Sequence, residues 1–269
     1  MKKKFLIFSG THPRHIYVNS LFKNFNNIKF CYIFMKRENM VPKLQKKIPY
    51  RDLVNMRKHF NSRKEKEILN FGNLDYKKIF KKNNYIEVES GDLNSDKVYN
   101  YIKKFKPNFT FIFGVDLLKK KIINLIDKKN INLHLGLSPW YKGSATLFWP
   151  FYFLQPHFCG ATFHQITEGI DDGPILHHSV PKLLKGQSIH DVSINVVKKA
   201  KADLKKIIIR IIRGKKLVFK NQLKNGKTFF SNSFKYYHLR LIYNLFKDKI
   251  VDFYLKNKTS KKINLVKYV

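Results

Sequence analysis

The stretch FTFIFGVDLLKKKIINLIDKKNINLH, residues 109–134, contains two short apolar runs separated by a segment with helical periodicity. Phe109 to Phe113 and Asn130 to His134 have the length and the aromatic and β-branched content of buried strands. Leu117 to Asp127, between them, has the apolar spacing of a helix. This order predicts neighbouring parallel strands joined by a crossover helix, and hence an α/β fold.

The same alternation extends in both directions from this stretch. Further predicted strands are Phe5 to Phe8, Lys29 to Phe34 and Tyr85 to Val88. Further predicted helices are His15 to Asn24, Arg51 to Leu69, Ser95 to Phe105 (with Ser95 as its N-cap) and Gly143 to Leu154. The runs Ala161 to Ile166 and Ile175 to Pro181, joined by a Gly/Asp turn, predict an antiparallel hairpin at the edge of the parallel sheet.

The alternation of short apolar runs and helical segments changes near Leu184. We therefore predict a larger, catalytic domain over residues 1–183 and a small α+β region over residues 184–269. Ser188 is expected to cap a helix that Gly214 ends. Further predictions are a hairpin turn at Asn225-Gly226 between Leu217 to Leu223 and Lys227 to Phe230, and a last helix over Phe234 to Phe246. An apolar face on that helix (Tyr236, Leu239, Tyr243 and Phe246) predicts either a homodimer contact or packing on its own domain.

The composition excludes several classes of protein. Hydrophobic residues make up 43% and aromatic residues 15%, enough for a packed core. Leu147 to Leu154 is much shorter than the ~20 apolar residues of a membrane-spanning helix, and Met1 to Gly10 lacks the roughly 7–15 apolar residues of a signal peptide. Two cysteines provide neither a disulfide framework nor a four-cysteine zinc site. We therefore expect a cytoplasmic protein without a transmembrane segment.

The charge permits two interpretations. Lys and Arg total 54 against 18 for Asp and Glu, a formal net charge of +36. Such a field attracts RNA, anionic lipid surfaces and polyanionic substrates. Alternatively, lysines spread over solvated faces reflect a composition rich in Lys, Asn and Ile. Because the lysines occur along the whole chain, without one arginine-rich patch interleaved with aromatics, the second interpretation is favoured.

Two polar side chains lie at the predicted carboxyl end of the strand Asn130 to His134. Asn132 and His134 are two residues apart, so both point to the same side of the sheet. Open α/β sheets bind ligands at this edge. An amide that donates to a developing oxyanion and an imidazole that titrates near neutral pH suit acyl transfer. The alternative, that both side chains only satisfy local backbone groups, stays open at this point.

A second polar segment is Gly169-Ile170-Asp171-Asp172-Gly173-Pro174-Ile175. Asp-Gly and Gly-Pro are ordinary turn dipeptides, which is one interpretation. The other is that a carboxylate on this turn pairs with His134, favours the charged ring and fixes its orientation.

Together these segments resemble the signature of the folate-dependent formyltransferases. That family includes glycinamide ribonucleotide transformylase, methionyl-tRNA formyltransferase and the sugar N-formyltransferases. The residues that carry the resemblance, in order, are Asn132, His134, Pro139, Gly143, Asp171 and Gly173. The resemblance covers residues 1–181 and implies a Rossmann-like formyltransferase fold with Asn132, His134 and Asp171 as catalytic residues. Asp172 is the rival to Asp171, and the family pattern favours Asp171.

The sequence departs from the family pattern in the loop after His134. Leu135-Gly136-Leu137-Ser138-Pro139 stands where Pro-Ser-Leu-Leu-Pro is usual in the family. It leaves the three catalytic candidates in place but changes the loop expected to meet the acceptor.

The resemblance also implies the cosubstrate, 10-formyltetrahydrofolate, with no metal. Its pterin-pocket candidates are Gly114, Val115, Leu117 and Leu118, with Asp172 and Gly173. An ordinary buried strand followed by a helix is the alternative for the first four. His177 and His178, adjacent on a strand, face opposite ways and cannot readily share an ion. His164 is interpreted as a structural or cleft residue.

The sequence gives less direct evidence for the acceptor, the molecule whose amine receives the formyl group, than for the cosubstrate. Thr11, Arg14 and His15 follow the first strand and open a helix, a position suited to a phosphate, and Lys142 and Gly143 are the other acceptor-binding candidates. The first loop and residues 144–150 resemble formyltransferases of surface-glycan pathways. The chain after His190 is too short for the barrel that methionyl-tRNA formyltransferases usually carry.

We therefore expect a nucleotide-linked amino sugar as acceptor. Methionyl-tRNA is the first alternative. The second is an inactive formyltransferase-like protein that binds RNA or membranes.

Overall fold

The computed structural model describes residues 2–37, 40–41, 48–126, 129–223, 226–257 and 263–269. Its strands are β1 (Lys3–Gly10), β2 (Ile28–Met35), β3 (Asn84–Val88), β4 (Phe109–Phe113), β5 (Asn130–His134), β6 (Tyr141–Gly143), β7 (Ala161–His164), β8 (Ile175–Ser179) and β9 (Lys227–Phe229). Its α-helices are α1 (Pro13–Asn19), α2 (Tyr50–Phe71), α3 (Tyr76–Ile79), α4 (Asp96–Phe105), α5 (Lys120–Ile123), α6 (Trp149–Tyr152), α7 (Ile189–Ile212) and α8 (Ile250–Lys256).

Seven of these strands form one sheet in the order β3-β2-β1-β4-β5-β7-β8. Strands β1 to β5 pair in parallel. Strand β7 pairs antiparallel with β5 and with β8. Strand β8 is the edge strand on this side of the sheet. The predicted α/β class, with a mostly parallel sheet and an antiparallel hairpin at its edge, is confirmed.

Apolar side chains cover both faces of the sheet, because alternate residues of each strand point in opposite directions. Phe5 and Ile7 belong to one buried cluster, which also contains side chains of α1 and α7. Leu6 and Phe8 belong to the other, together with side chains of α4 and α5. A parallel sheet buried on both faces requires such continuous apolar strands, and this requirement explains why its strands were predicted accurately.

Two predictions after His134 are wrong. Residues 143–154 do not form one helix: β6 ends at Gly143, and α6 covers only Trp149–Tyr152. Leu217 to Leu223 is not a strand of a hairpin, since β9 pairs in parallel with β6 and Lys220 forms an isolated bridge with Ile175. The Asn225 side of the predicted turn lies outside the described residues. In each case a backbone partner distant in sequence replaces the local one.

Two predicted helices are shorter or more irregular than expected. The helix predicted over Leu117 to Asp127 is α5, which covers only Lys120–Ile123, and Asp127 lies outside the described residues. The last predicted helix is a 3-10 turn at Tyr236–His238 followed by a π-helical turn at Leu241–Leu245. Ser188 does cap α7, since its hydroxyl accepts from the Asp191 amide while the Asp191 carboxylate accepts from the Ser188 amide.

The region after residue 184 packs directly on the sheet. Leu239, Ile242 and Val251 are fully buried in the same cluster as β1 and α7. Leu239 and Tyr243, two members of the predicted apolar face, are therefore buried against their own chain, as one of the two alternatives expected. The division at residues 183 and 184 stays a prediction about folding units.

A buried polar cluster joins α7 to β8. The Asp203 carboxylate, only 1% exposed, accepts from the Ser179 hydroxyl at 2.6 Å and faces His177 Nε2 at 3.2 Å. Lys199 Nζ lies 2.6 Å from the same carboxylate oxygen. His178 points the other way and bonds the Ser138 carbonyl through Nε2 at 2.9 Å, so the predicted opposite orientation of the two histidines is confirmed.

Neither a membrane helix nor a metal cluster is found in the described ranges. None of their helices has the length and apolar character needed to cross a membrane. Those ranges also hold no group of three or more His, Cys, Asp or Glu side chains arranged for a metal ion.

Replacing Asp203 by Ala leaves the buried Ser179 hydroxyl and His177 ring without their partner. We expect the free energy of unfolding to fall by about 3 kcal/mol, as for other buried pairs that lose one member. Urea denaturation followed by circular dichroism measures this loss. The control is Glu89→Ala, because Glu89 pairs with Lys36 on the surface and such pairs contribute less than about 1 kcal/mol. Equal losses in both variants would contradict the role given to Asp203.

Candidate active site

A cavity of about 1600 Å³ opens at the carboxyl ends of the parallel strands. Its wall includes Gly114 after β4, Asn132 and His134 at the end of β5, and Asp171 on the loop before β8. Ligand pockets typically measure about 300–1,000 Å³. The larger volume here suits two ligands that meet beside the end of β5.

Asp171 is the centre of the polar group in this cavity. Its Oδ2 atom accepts from the Gly143 amide at 2.9 Å and lies 3.2 Å from His134 Nδ1. Its Oδ1 atom lies 3.3 Å from His164 Nε2 and 3.4 Å from Asn132 Nδ2. One carboxylate therefore contacts side chains or backbone of β5, β6 and β7.

The environment keeps Asp171 ionised. Burial by itself would raise its pKa, but the positive charge that His134 carries when protonated, the hydrogen bond and charge of His164, and the Gly143 amide outweigh burial and hold the pKa well below the ordinary value. Asp171 also has a left-handed backbone, with φ of 48°. Gln222 donates to the carbonyls of Asp171 and Gly173 at 2.8 and 2.7 Å, which fixes this turn from the C-terminal region.

His134 lies between two acceptors. Its Nδ1 atom faces the Asp171 carboxylate, and its Nε2 atom lies 3.0 Å from the Tyr141 carbonyl. A neutral ring can donate to only one of them, whereas a protonated ring donates to both. Burial lowers the pKa of His134, and Asp171 and the Tyr141 carbonyl offset part of that effect. The ring is therefore neutral at physiological pH and ready to accept a proton.

Asn132 and His164 form the other half of the group. The register of β5 against β7 pairs these two residues directly, and Asn132 Nδ2 lies 3.0 Å from His164 Nε2. His164 Nδ1 lies 2.8 Å from the Gln165 carbonyl. Since that carbonyl requires a proton on Nδ1, Nε2 accepts from Asn132 when the ring is neutral and donates to Asp171 when the ring is protonated.

Sequence reasoning assigned His164 only a structural or cleft position, whereas the structure places it in contact with Asp171. Its signal in the sequence was the predicted antiparallel edge of the sheet, which brings β7 beside β5 and places His164 opposite Asn132. The register itself could not be read from the sequence.

Gly143 is where β6 meets the turn that carries Asp171. Its φ is 89°, and a Cβ atom would lie 2.1 Å from the Phe229 carbonyl oxygen of β9. Any side chain here would therefore displace β9 or withdraw the amide from Asp171. Gly136 has a similar constraint, since a Cβ atom there would lie 2.2 Å from His134 Nε2.

The pterin candidates divide into two groups. Gly114, Val115, Leu117 and Leu118 line the cavity together with Ile166 and Ile170, and a flat apolar wall of this kind fits a pterin ring. Asp172 and Gly173 are not part of the described cavity wall. Asp172 is exposed and accepts from the Thr167 hydroxyl, while Gly173 packs closely on the Gln165 carbonyl.

Only some of the predicted acceptor-binding residues line the cavity. Arg14, His15 and Gly143 line the cavity, whereas Thr11 and Lys142 are absent from its described wall. Thr11 instead accepts the Arg37 amide at 3.0 Å. Arg14 is ion-paired with Glu67. Burial and the positive charges of His12 and Arg14 lower the pKa of His15 well below 6.5, so this ring is neutral and fills the space between Gly10 and Gly114.

A mostly parallel α/β sheet with an amide, two imidazoles and a buried carboxylate at the end of one strand defines a ligand-binding enzyme fold with acid–base groups. Residues 52–209 match the Formyl transferase family model. This match covers more than half of the 269 residues. The chain belongs to the formyl transferase family, as the resemblance implied.

Two solved structures share the fold. One is an N-formyltransferase from Helicobacter canadensis in complex with folinic acid and dTDP-3-aminofucose, with 20% identity, TM-score 0.54, and coverage of 87% of this chain and 73% of that chain. The other is the formyltransferase PseJ from Anoxybacillus kamchatkensis in complex with UDP-4,6-dideoxy-4-formamido-L-AltNAc and tetrahydrofolate, with 17% identity, TM-score 0.53, and coverage of 92% and 95%.

Among curated proteins, a methionyl-tRNA formyltransferase from Thermodesulfovibrio yellowstonii is 37% identical over 81 residues, which cover 29% of this chain and 26% of that protein. The chain spans well under half the length of the curated relatives it matches.

Replacing Asp171 by Asn removes the negative charge that favours the protonated form of His134. We expect the pKa of His134, already below 6.5, to fall further, by about one unit or more. A pH titration of the histidine ring resonances by NMR measures it. Asp172→Asn is the control, since that exposed carboxylate bonds Thr167. If Asp172→Asn shifted the pKa more than Asp171→Asn, the pairing proposed for His134 would be wrong.

Proposed function

We propose that this protein transfers a formyl group from 10-formyltetrahydrofolate to the amine of a nucleotide-linked amino sugar. The single observation that supports the chemistry best is the Asp171 carboxylate between His134 and His164, next to the Asn132 amide. The cavity volume and the apolar wall formed by Val115 and Leu118 fit the pterin of such a cosubstrate. The folate, when bound, supplies the formyl group.

The proposed mechanism is direct transfer. The neutral amine forms a bond to the formyl carbon, and negative charge develops on the formyl oxygen. Asn132 donates to this oxygen in place of its long 3.4 Å contact with Asp171. Water is kept from the reacting groups by their burial, since the side chains of His134 and Asp171 are only 7% and 15% exposed.

Proton movement involves His134 and Asp171. The attacking amine loses a proton as its bond to carbon forms, and the folate nitrogen gains one as its bond to carbon breaks. His134 accepts the first proton, because the charged ring can donate to both Asp171 and the Tyr141 carbonyl. Asp171 stays ionised throughout, since its low pKa prevents it from holding the proton. The same His134 then returns a proton to the leaving nitrogen.

An amino-sugar acceptor is supported by two solved relatives that hold a nucleotide sugar together with a folate. The second candidate is methionyl-tRNA, favoured by the curated relatives and by the net charge of +36. Formyl transfer to an amine is common to both candidates, so the catalytic proposal does not depend on the choice.

The acceptor can be tested by incubating the protein with 10-formyltetrahydrofolate and either nucleotide-linked amino sugars or methionyl-tRNA. We expect mass spectrometry to detect formylated amino sugar and no formylated methionyl-tRNA. Binding of tRNA, measured in parallel, should weaken steeply with salt and give no product. Formylation of methionyl-tRNA alone would replace the sugar as acceptor, and formylation of neither pool by a folded protein would contradict the proposed activity.

Replacing His134 or Asn132 by Ala should lower the rate of formyl transfer about 100-fold or more, because each variant loses a proton acceptor or an oxyanion donor. Initial rates at saturating folate measure this change. His157→Ala is the control, because His157 lies outside the described cavity wall and packs on Tyr254. A His134→Ala variant that kept the wild-type rate would remove this residue from the mechanism.

A further inference from the structure

A second polar cluster lies in the cavity wall, on helices α1, α2 and α7. It consists of Arg14, His59, Arg63, Glu67 and His190, all of which line the cavity. Arg14 and Glu67 form an ion pair, and the rings of His59 and His190 lie 4.6 Å apart. None of these residues contacts the Asp171 group in the described structure, so the mechanism above leaves them without a role.

The cluster has an excess of positive charge. Glu67 is paired with Arg14, and no carboxylate of the described residues lies within 4.0 Å of Arg63, which donates to the Met40 carbonyl. Arg63 Nε and Arg14 Nε are buried donors without a hydrogen-bond partner among the described residues, and two buried acceptors of the cluster, Glu67 Oε2 and His190 Nε2, also have none there. A cation removed from water without a partner is costly, and unsatisfied buried donors add to that cost. Such an arrangement calls for an anionic ligand.

The pKa values of His59 and His190 also reflect the positive charge of this cluster. Burial, followed by the positive charges of Arg63, Lys66 and Arg14, lowers the pKa of His190 to about 3. Burial, followed by His190 and Arg63, also lowers the pKa of His59 well below 6.5. Both rings are therefore neutral without a ligand. An anion beside them would reduce the positive potential that acts on them.

The cluster lies on the opposite side of the sheet from the pterin wall. Val115 and Ile166 pack against the buried cluster that contains Leu6 and Phe8. Phe71, one helical turn after Glu67 in α2, and Ile189, next to His190 in α7, belong to the other buried cluster. The Asp171 group at the end of β5 lies between the two sides. A ligand on the arginines therefore approaches the formyl carbon from the side away from the pterin, as the acceptor must.

Aromatic rings continue the wall next to the cluster. The Arg63 guanidinium lies 5.1 Å from the centre of the Phe60 ring, and the rings of Phe148 and Phe234 lie 5.9 and 6.3 Å from that of His59. Phe60, Phe148 and Phe234 all line the cavity. Guanidinium groups bind phosphate oxygens in a bidentate manner, and aromatic faces stack on bases. Cations and aromatic rings side by side fit a nucleoside diphosphate.

We infer that Arg63, with Arg14, forms a subsite for the diphosphate of the acceptor, and that Phe60 and Phe234 contact its nucleoside. This inference rests on the proposed function for the identity of the acceptor, but the subsite itself can be measured without turnover. The other anionic group available to the cavity is the glutamate tail of the folate. The subsite geometry favours the diphosphate because it lies across the sheet from the pterin wall.

The test is calorimetric binding of UDP, dTDP, inorganic pyrophosphate, uridine and tetrahydrofolate to the full-length protein and to Arg63→Gln. We expect the Kd of the better-bound diphosphate, UDP or dTDP, and that of pyrophosphate to rise about tenfold or more, as for loss of hydrogen bonds to a charged group. The Kd of uridine and of tetrahydrofolate should change less than about twofold. Arg57→Gln, an exposed residue of the same helix outside the cavity wall, should bind all five probes like the wild type.

A second variant distinguishes the loss of the guanidinium group from misfolding. Arg63→Lys keeps the charge but loses the guanidinium fork, so its Kd for UDP or dTDP should lie between those of wild type and Arg63→Gln. Thermal unfolding of all variants reports whether they fold. Unchanged diphosphate affinity in folded Arg63→Gln, or no diphosphate binding by the wild type, would overturn the subsite. Weakened tetrahydrofolate binding with unchanged diphosphate binding would also overturn it and assign the cluster to the folate tail.

These outcomes are separate from those of the proposed function. Loss of diphosphate affinity in Arg63→Gln would support the subsite even if no amino sugar were formylated. Conversely, formylation of an amino sugar by an Arg63→Gln variant with wild-type diphosphate affinity would leave the proposed function standing and remove the subsite.

Discussion

The buried carboxylate of Asp171 is the contact on which the rest of the site depends. It faces His134 of β5 and His164 of β7 and accepts the Gly143 amide at the end of β6. These strands run in different directions and belong to two sheets, so only a group at their common end can hold all three. A carboxylate suits this position because it has enough lone pairs for several donors. The left-handed turn at Asp171, fixed by Gln222, aims it there.

The same contact sets the acid–base properties of the site. An isolated buried carboxylate would become protonated, and an isolated buried histidine would stay neutral over the whole physiological range. Side by side, Asp171 keeps its charge and His134 keeps the ability to take up a proton. The second acceptor of His134, the Tyr141 carbonyl, adds to this ability. Binding and proton transfer thus depend on the position of β6 as much as on the side chains of β5.

The sequence predicts those elements of the structure that depend on the local pattern of apolar residues. The buried strands β4 and β5 were predicted to the residue, because strands covered on both faces are continuous apolar runs. The helix over residues 143–154 and the strand over Leu217 to Leu223 were predicted wrongly, since the Gly143 amide bonds Asp171 and β9, the strand predicted over Lys227 to Phe230, pairs with β6 across a long sequence separation. Asn132 and His134 follow from two-residue spacing and Asp171 from the family resemblance. His164 and Arg63 depend on strand register and on which basic residue of a charged helix faces inward, and neither is readable from one sequence.

The overall charge and the charge of the cavity carry different information. Of the 54 basic residues, the described cavity wall contains Arg14, Lys36, Arg37, Arg63 and Lys235, and three of these are paired with Glu67, Glu89 and Asp116. The remaining charge lies outside the cavity wall described here and attracts any polyanion, whether nucleic acid or membrane. Inside the cavity, selectivity depends on the few cations without carboxylate partners. Arg63 is one of them, and its partly buried position in the cavity wall makes it more discriminating than the lysines of the surface.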